Sequence, residues 1–592
     1  MTRPTWLILT AALAVPAVVP AAASARATPA AVDSASHGYV LGRFAYADDR
    51  LDDAARYFDE ARRQTPGDPV LMRRTFELAL AAGDEKLSFD LARQLAAANV
   101  GDSTVALVRL AEALKRRDWK AADAARPALA DAGYAAVVGP IVEAWTLQGR
   151  GETDAALAVL DPDKFTGFAR SYVTEHRALL LSSARRWSEA TPLYAGLLAD
   201  EARGVTRLRV AAAQALQASG HAADAATLLT AGGNDPVLAA AQARLKSGRQ
   251  VEPGTIEPRQ GVGWLSARLA GDLSREKPVP LALIFARVAT FLAPEAAENW
   301  MITGDVLARG GRPDAALLAY ARIPSSDPMA AAAKAREAMV LSDAGRDADA
   351  RRLLEAATAA RTATADDWTR LGDFDRKALQ YGAAAKAYDR AIALSGSTPA
   401  EVGWSLYFLR GGAYEQDGDW ARAEPDLRTA LALAPEEPAV LNYLGYALLD
   451  RGIKLPEAQT LIETAARLRP EDGFIADSLG WAYFRTGQFA RAVTVLQNAV
   501  IAEPGDPTIN EHLGDAFWRV GRQIEARFEW RAAIDLGATP AQVTTIRSKL
   551  DYGLDVAAAL AQSSASKLAQ SSAGKAPPGT RPPDPVESAP RP

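Results

Sequence analysis

Cysteine is missing from all 592 residues, and histidine occurs only four times. Without cysteine there is no disulfide, no thiolate nucleophile, no cysteine-based zinc site and no lipidated cysteine anchor. The four histidines, His37, His176, His221 and His512, lie far apart and never take up an H-E-x-x-H spacing. No G-x-S-x-G elbow, P-loop or kinase signature occurs. The sequence thus offers no catalytic residue, no metal ligand set and no cofactor motif, and it reads as non-enzymatic. Net charge is −5 with no basic stripe, which argues against nucleic acid as a partner. After the N-terminal segment no stretch reaches 18 uncharged apolar residues, so no transmembrane span is expected in the mature chain.

What the chain does have is alanine, leucine and a period. The composition, with 23% charged residues and few β-formers, favours helices. A motif returns about every 34 residues along the second half. From Gly473 it places Leu479, Gly480, Tyr483, Gly487, Ala492, Leu496, Ala499 and Pro504; from Pro507 it places Leu513, Gly514, Phe517, Gly521, Ala526, Trp530 and Ala533 at corresponding points. This is the pattern of the tetratricopeptide repeat, a helix–turn–helix unit, and the chain resembles that family. The expected fold is all-α: a right-handed superhelix (an α-solenoid) of tandem helix pairs, in two segments. Small residues at the eighth, twentieth and twenty-seventh positions allow the two helices of a unit to approach closely. Proline at the thirty-second stops the second helix because it lacks an N–H and clashes with the preceding turn.

The N-terminus reads as a processing segment. Arg3, the apolar run from Trp6 to Val19 and the Ala23-Ser24-Ala25 site predict a cleaved signal peptide over 1–25 and a periplasmic address; a retained anchor is the alternative. Residues 26–247 are predicted as a degenerate helical segment of similar repeats. The Gly- and Pro-rich stretch 248–262 reads as a linker. The firm array is expected over 263–554, closed by a capping helix whose Arg547, Lys549 and Asp551 face outward. The Ala/Ser/Pro-rich tail 555–592 cannot bury a core and is expected to be disordered, with a Pro-rich docking peptide as the alternative.

In this family the first helix of each unit lines the concave face. Register alone nominates Asn442 and Tyr446 from one repeat, Phe474, Asp477, Trp481 and Arg485 from the next, and Asp515, Trp518 and Arg519 from the third. Packing does not require a large residue at the ninth position, yet Tyr446 and Trp481 occupy it in consecutive repeats. Trp, Tyr and Arg are enriched at binding hot spots, which makes these residues candidates for gripping another protein. The competing reading is that the aromatics pack on neighbouring helices. The Lys, Asn and Arg clamp by which related modules hold chaperone C-termini is absent: the fifth positions run Phe408, Asn442, Asp477 and Glu511.

A narrower resemblance covers residues from about 400 to 535. The phrases Leu441-Asn442-Tyr443-Leu444-Gly445-Tyr446, Asp477-Ser478-Leu479-Gly480-Trp481 and His512-Leu513-Gly514-Asp515 occur in order. They resemble a family of proteobacterial envelope proteins built of these repeats. One branch of it is the lipoprotein partner of a periplasmic C-terminal processing protease. That resemblance implies an adaptor that captures peptidoglycan hydrolases on its inner surface and delivers them to the protease. The lipidated cysteine of that branch is missing here, so its outer-membrane anchoring is not implied. A structural scaffold for outer-membrane or cell-wall assembly, without a protease, is the alternative. An enzyme with an unrecognised site in 69–250 is a third reading.

Overall fold

Every unit begins with two helices that must come close, and the residues that allow this recur. In the computed structural model, which describes residues 34–129, 133–199, 206–231, 235–251, 256–275 and 280–559, a Cβ added to Gly42, Gly304, Gly372, Gly411, Gly445, Gly480 or Gly514 would fall within 3.0 Å of the side chain sixteen or seventeen residues later. Those side chains are Phe58, Tyr320, Tyr388, Leu427, Ile462, Leu496 and Trp530, all buried. The glycine of the first helix is thus the floor on which the bulky residue of the second helix lies. Hydrogen bonds within each helix satisfy the backbone, and burial of this knob against its neighbours supplies the stability that short isolated helices lack.

The described residues include 31 α-helices from Ser34–Ala47 to Pro540–Tyr552, a further short helical stretch at 554–559 and two short 3-10 helices, with no strand among them. The predicted punctuation is observed. Helices Trp420–Leu433, Leu455–Leu468 and Phe489–Ala502 each end two residues before a proline, at Pro435, Pro470 and Pro504. Asp472 and Asp506 then cap the following helices by accepting from the N–H groups two and three residues on. The inter-helix turns pass through Gly487 and Gly521 with φ of 78° and 83°, where a side chain would be strained.

Two compact units divide the chain, Met1–Ala350 and Arg351–Pro592. In the second, apolar clusters follow one another from Ala384 to Leu554, each shared by consecutive helix pairs. This continuous spine was expected. The first unit departs from the expected organisation. Helix Pro258–Leu273 packs on Ser103–Arg116, Ala135–Gly149 and Gly167–Ser183, while Pro280–Leu292 packs on Pro69–Ala82 and Ser103–Arg116. A single apolar cluster therefore runs from Phe76 to Val306. Residues 252–255 lie outside the described residues, but 256–262 are not a linker. Gly261 and Val262 are buried in a helix, and the ring of Trp145 lies where a Cβ on Gly261 would be. Trp145 donates its indole N–H to His176 Nδ1 at 3.1 Å. Burial, with Arg268 nearby, pushes the His176 pKa down to about 3, so this ring is neutral and structural. The division falls at 350/351 and not at the Gly/Pro-rich stretch, because the helices that follow that stretch pack on earlier helices of the same unit.

A buried guanidinium secures that return. Arg287 donates from Nε and Nη2 to the Ala81 carbonyl at 3.0 and 2.6 Å, at the C-terminal end of helix Pro69–Ala82 where positive charge is favoured. Burial lowers its pKa to about 10, so it remains charged at neutral pH. Arg287→Ala should cost about 1–3 kcal/mol by leaving that carbonyl without its partner; chemical denaturation of the first unit checks this.

The capping helix exists as Pro540–Tyr552, and after Gly553 a further helical stretch covers 554–559, which overlaps the start of the span 555–592 expected to be disordered. Arg547 and Asp551 are exposed, but Lys549 is buried, contrary to the expected outward face. The predicted signal segment 1–25 and the predicted tail from 560 lie outside the described residues.

Candidate partner-binding site

The candidate residues fall on three first helices, Pro438–Asp450, Gly473–Arg485 and Pro507–Arg519, which lie side by side. Their side chains divide into those satisfied within the protein and those that are not.

Asp515 belongs to the first group and is a correction to the sequence reading. It is 4% exposed, accepts the Trp530 indole N–H at 2.8 Å and takes Lys549 Nζ on both oxygens at 2.8 Å. Lys549 also donates to Glu511 at 2.7 Å. Burial alone would lower the Lys549 pKa, but the two carboxylates outweigh it and raise it, so the ammonium stays charged. Trp518 is likewise occupied: its ring tilts on Trp530 at 5.4 Å, and Gly553 sits against it. Arg519 is exposed but bonded to Asp555 at 2.6 Å. The protein's own capping segment therefore fills the end of the face where these three residues were expected to meet a partner.

Asp477 is also internally satisfied. It is buried and faces His512 Nδ1 at 2.9 and 3.1 Å. Trp481 is half-buried, stacked between Phe484 (centroids 4.7 Å apart, planes at 6°) and His512 (4.1 Å, 13°). The sandwich fixes the indole without covering it completely.

Asn442, Tyr446 and Arg485 make up the second group. Asn442 Oδ1 is buried and has no hydrogen-bond partner among the described residues. Among the described residues Tyr446 forms no hydrogen bond through its hydroxyl and Arg485 forms no ion pair, although both are half-buried. Burial, together with the Asp477 and Asp450 carboxylates, pushes the Tyr446 pKa up to about 12; Arg485 opposes this shift, which places its charge in the same neighbourhood. Phe474, 54% exposed, lies on the same helix as Arg485. An unpaired acceptor, a hydroxyl and an unpaired guanidinium beside a held indole make a surface with unmet hydrogen-bonding capacity.

A family profile described as Tetratricopeptide repeat matches residues 282–331, 369–425, 408–473 and 478–541. The chain carries tetratricopeptide repeats over these residues. A TPR repeat-containing protein of Pseudomonas aeruginosa is 41% identical over 88 residues; the alignment spans 15% of this chain and 15% of that protein. Among solved structures, a tetratricopeptide repeat protein from Parabacteroides merdae is 15% identical and matches over 43% of this chain and 98% of its own, with a TM-score of 0.36. The APC/C hetero-tetramer Cut9-Hcn1 supplies a chain 14% identical, covering 88% of this chain and 96% of that one, also at 0.36.

Comparison among the tetratricopeptide repeats explains why Asp515 was misassigned. Where the bulky residue of the second helix carries a polar hydrogen, the ninth position of the first helix is an aspartate that accepts it. Tyr320 bonds Asp305, Tyr388 bonds Asp373 and Trp530 bonds Asp515, each fifteen residues apart and each at 2.7 or 2.8 Å. Where that residue is Leu427, Ile462 or Leu496, no such acceptor is needed, and the ninth position is Gly412, Tyr446 or Trp481. The ninth residue is thus free for a partner only where its own repeat makes no demand on it. This pairing was present in the sequence. His512 and Lys549 carried no such signal, because their roles depend on acids from other helices.

Proposed function

We propose that this chain is a non-enzymatic protein-binding scaffold and that Asn442, Tyr446, Trp481 and Arg485 form its partner-binding wall. The observation that supports this reading most directly is that, among the described residues, Asn442 Oδ1, the Tyr446 hydroxyl and Arg485 have no internal partners, while the neighbouring Asp477, Glu511 and Asp515 are paired. Buried polar groups left unpaired carry a desolvation cost, which an incoming peptide with an N–H donor and a carboxylate would remove. The apolar faces of Trp481 and Phe474 would add buried area. On the sequence reading of a signal peptide, the setting is the bacterial periplasm. The narrower form of the role is capture of cell-wall hydrolases for a C-terminal processing protease.

The test is co-purification from envelope extract with the chain from Arg26 onward, beside Trp481→Ala and Arg485→Ala forms. Hot-spot truncations typically cost about 2 kcal/mol or more, roughly 30-fold in affinity. Each substitution should therefore release the partner, whereas Arg519→Ala should not. Partners retained by both wall variants would remove this assignment. Recovery of assembly components in place of a protease would favour the structural-scaffold alternative.

A further inference from the structure

His512 stands out among the titratable groups because of what surrounds it. Its ring is buried, holds Asp477 of the preceding repeat through Nδ1 at 2.9 Å, and lies flat against Trp481 at 4.1 Å. Its own helix adds Glu511 and Asp515, both engaged by Lys549 from helix Pro540–Tyr552. Helix Gln523–Asp535 contributes the neutral Trp530 indole, bonded to Asp515, while its Arg527 lies over the Trp518 ring. From helix Gly473–Arg485 come Asp477 and Arg485, and from Pro438–Asp450 come Tyr446 and Asp450, all grouped around the Tyr446 hydroxyl. Arg491 of helix Phe489–Ala502 is engaged elsewhere, with Tyr483 and Glu463.

We propose that His512 is a proton-operated clamp: as an imidazolium it ties two consecutive repeats together through Asp477 and holds Trp481 in its stack, and loss of the proton slackens that part of the wall. Both contacts favour the charged ring. Asp477 receives a charge-assisted hydrogen bond, and the indole face attracts a cation. Burial would lower the His512 pKa, but Asp477, helped by Asp515 and Glu511, outweighs burial and raises it above the ordinary 6.5. A raised folded-state pKa means that the stabilisation is complete below the unfolded value and disappears as pH rises through the folded one. The clamp would therefore be closed at mildly acidic pH and would open as pH rises through the raised folded-state pKa. It regulates the wall assigned above, but its test requires no partner.

Ring-labelled histidine NMR on the chain from Arg26 onward follows the proton directly, with His512→Asn assigning the resonance. The His512 signal should titrate above about pH 6.5. Trp481 emission, taken as wild type minus Trp481→Phe, should be quenched by the imidazolium at about pH 6 and rise about twofold by about pH 9. Amide protection of helices Gly473–Arg485 and Pro507–Arg519 should fall over the same range, and His512→Asn should abolish both pH dependences. A His512 resonance that titrates at or below 6.5, or a Trp481 signal flat across that interval, overturns the clamp. The Trp481 emission, which needs only Trp481→Phe and the unsubstituted chain, remains decisive if His512→Asn fails to fold. Failure of partner capture with the titration intact would count against the wall alone.

Discussion

Lys549→Met should remove about 3–5 kcal/mol from the C-terminal end of the second unit, because it strands two buried carboxylates. Lys549, Glu511 and Asp515 have side chains only 8%, 12% and 5% exposed, so water cannot take over from the lost ammonium. Methionine fills a similar volume, and the loss would therefore report charge rather than a cavity. Adding Asp515→Asn should recover part of it, since the amide oxygen can still accept the Trp530 indole N–H without carrying an unpaired charge. A tandem array does not unfold in one step, so the appropriate measurement is hydrogen exchange along helices Pro507–Arg519 and Gln523–Asp535. Unchanged protection there would mean that Lys549 is not holding the capping helix down.

Trp145→Ala is expected to have an equally large effect in the first unit, about 3–5 kcal/mol, through a cavity in the centre of its main cluster. The indole is fully buried, fills the space above Gly261 and donates to His176. The reciprocal change, Gly261→Val, should cost about 1–3 kcal/mol or more by pressing a branched side chain into that ring. Together they test the architecture. If residues 256–262 were a tether between two segments, Gly261→Val would leave the denaturation profile of the first unit unaltered. With Gly261 under Trp145, both variants should unfold earlier than the parent chain.

The helix pairs of the second unit were legible because their determinants are local. Gly480 and Leu496 must meet whatever else the chain does, and the proline that ends one helix precedes the aspartate that caps the next. The wall was partly legible for the same reason: register placed Tyr446, Trp481 and Arg485 on first helices side by side. Register could not say which polar residues would be claimed. Asp477 and Asp515 occupy similar faces to Asn442, yet His512 takes one and Lys549 the other from helices further along. Trp518 and Arg519 were drawn off by Gly553 and Asp555 in the same way.

By itself, then, the amino-acid order determined the repeat, its small-residue contacts, its stops and caps, and the absence of thiol chemistry, since each follows from residue types within about 34 positions of one another. Only the tertiary structure decided that helix Pro258–Leu273 turns back onto helices more than a hundred residues earlier, that Lys549 points inward, and that Asn442 Oδ1, the Tyr446 hydroxyl and Arg485 are left without partners among the described residues. A side chain's charge, burial and availability depend on which distant helix is laid against it, and that is settled only when the chain is folded.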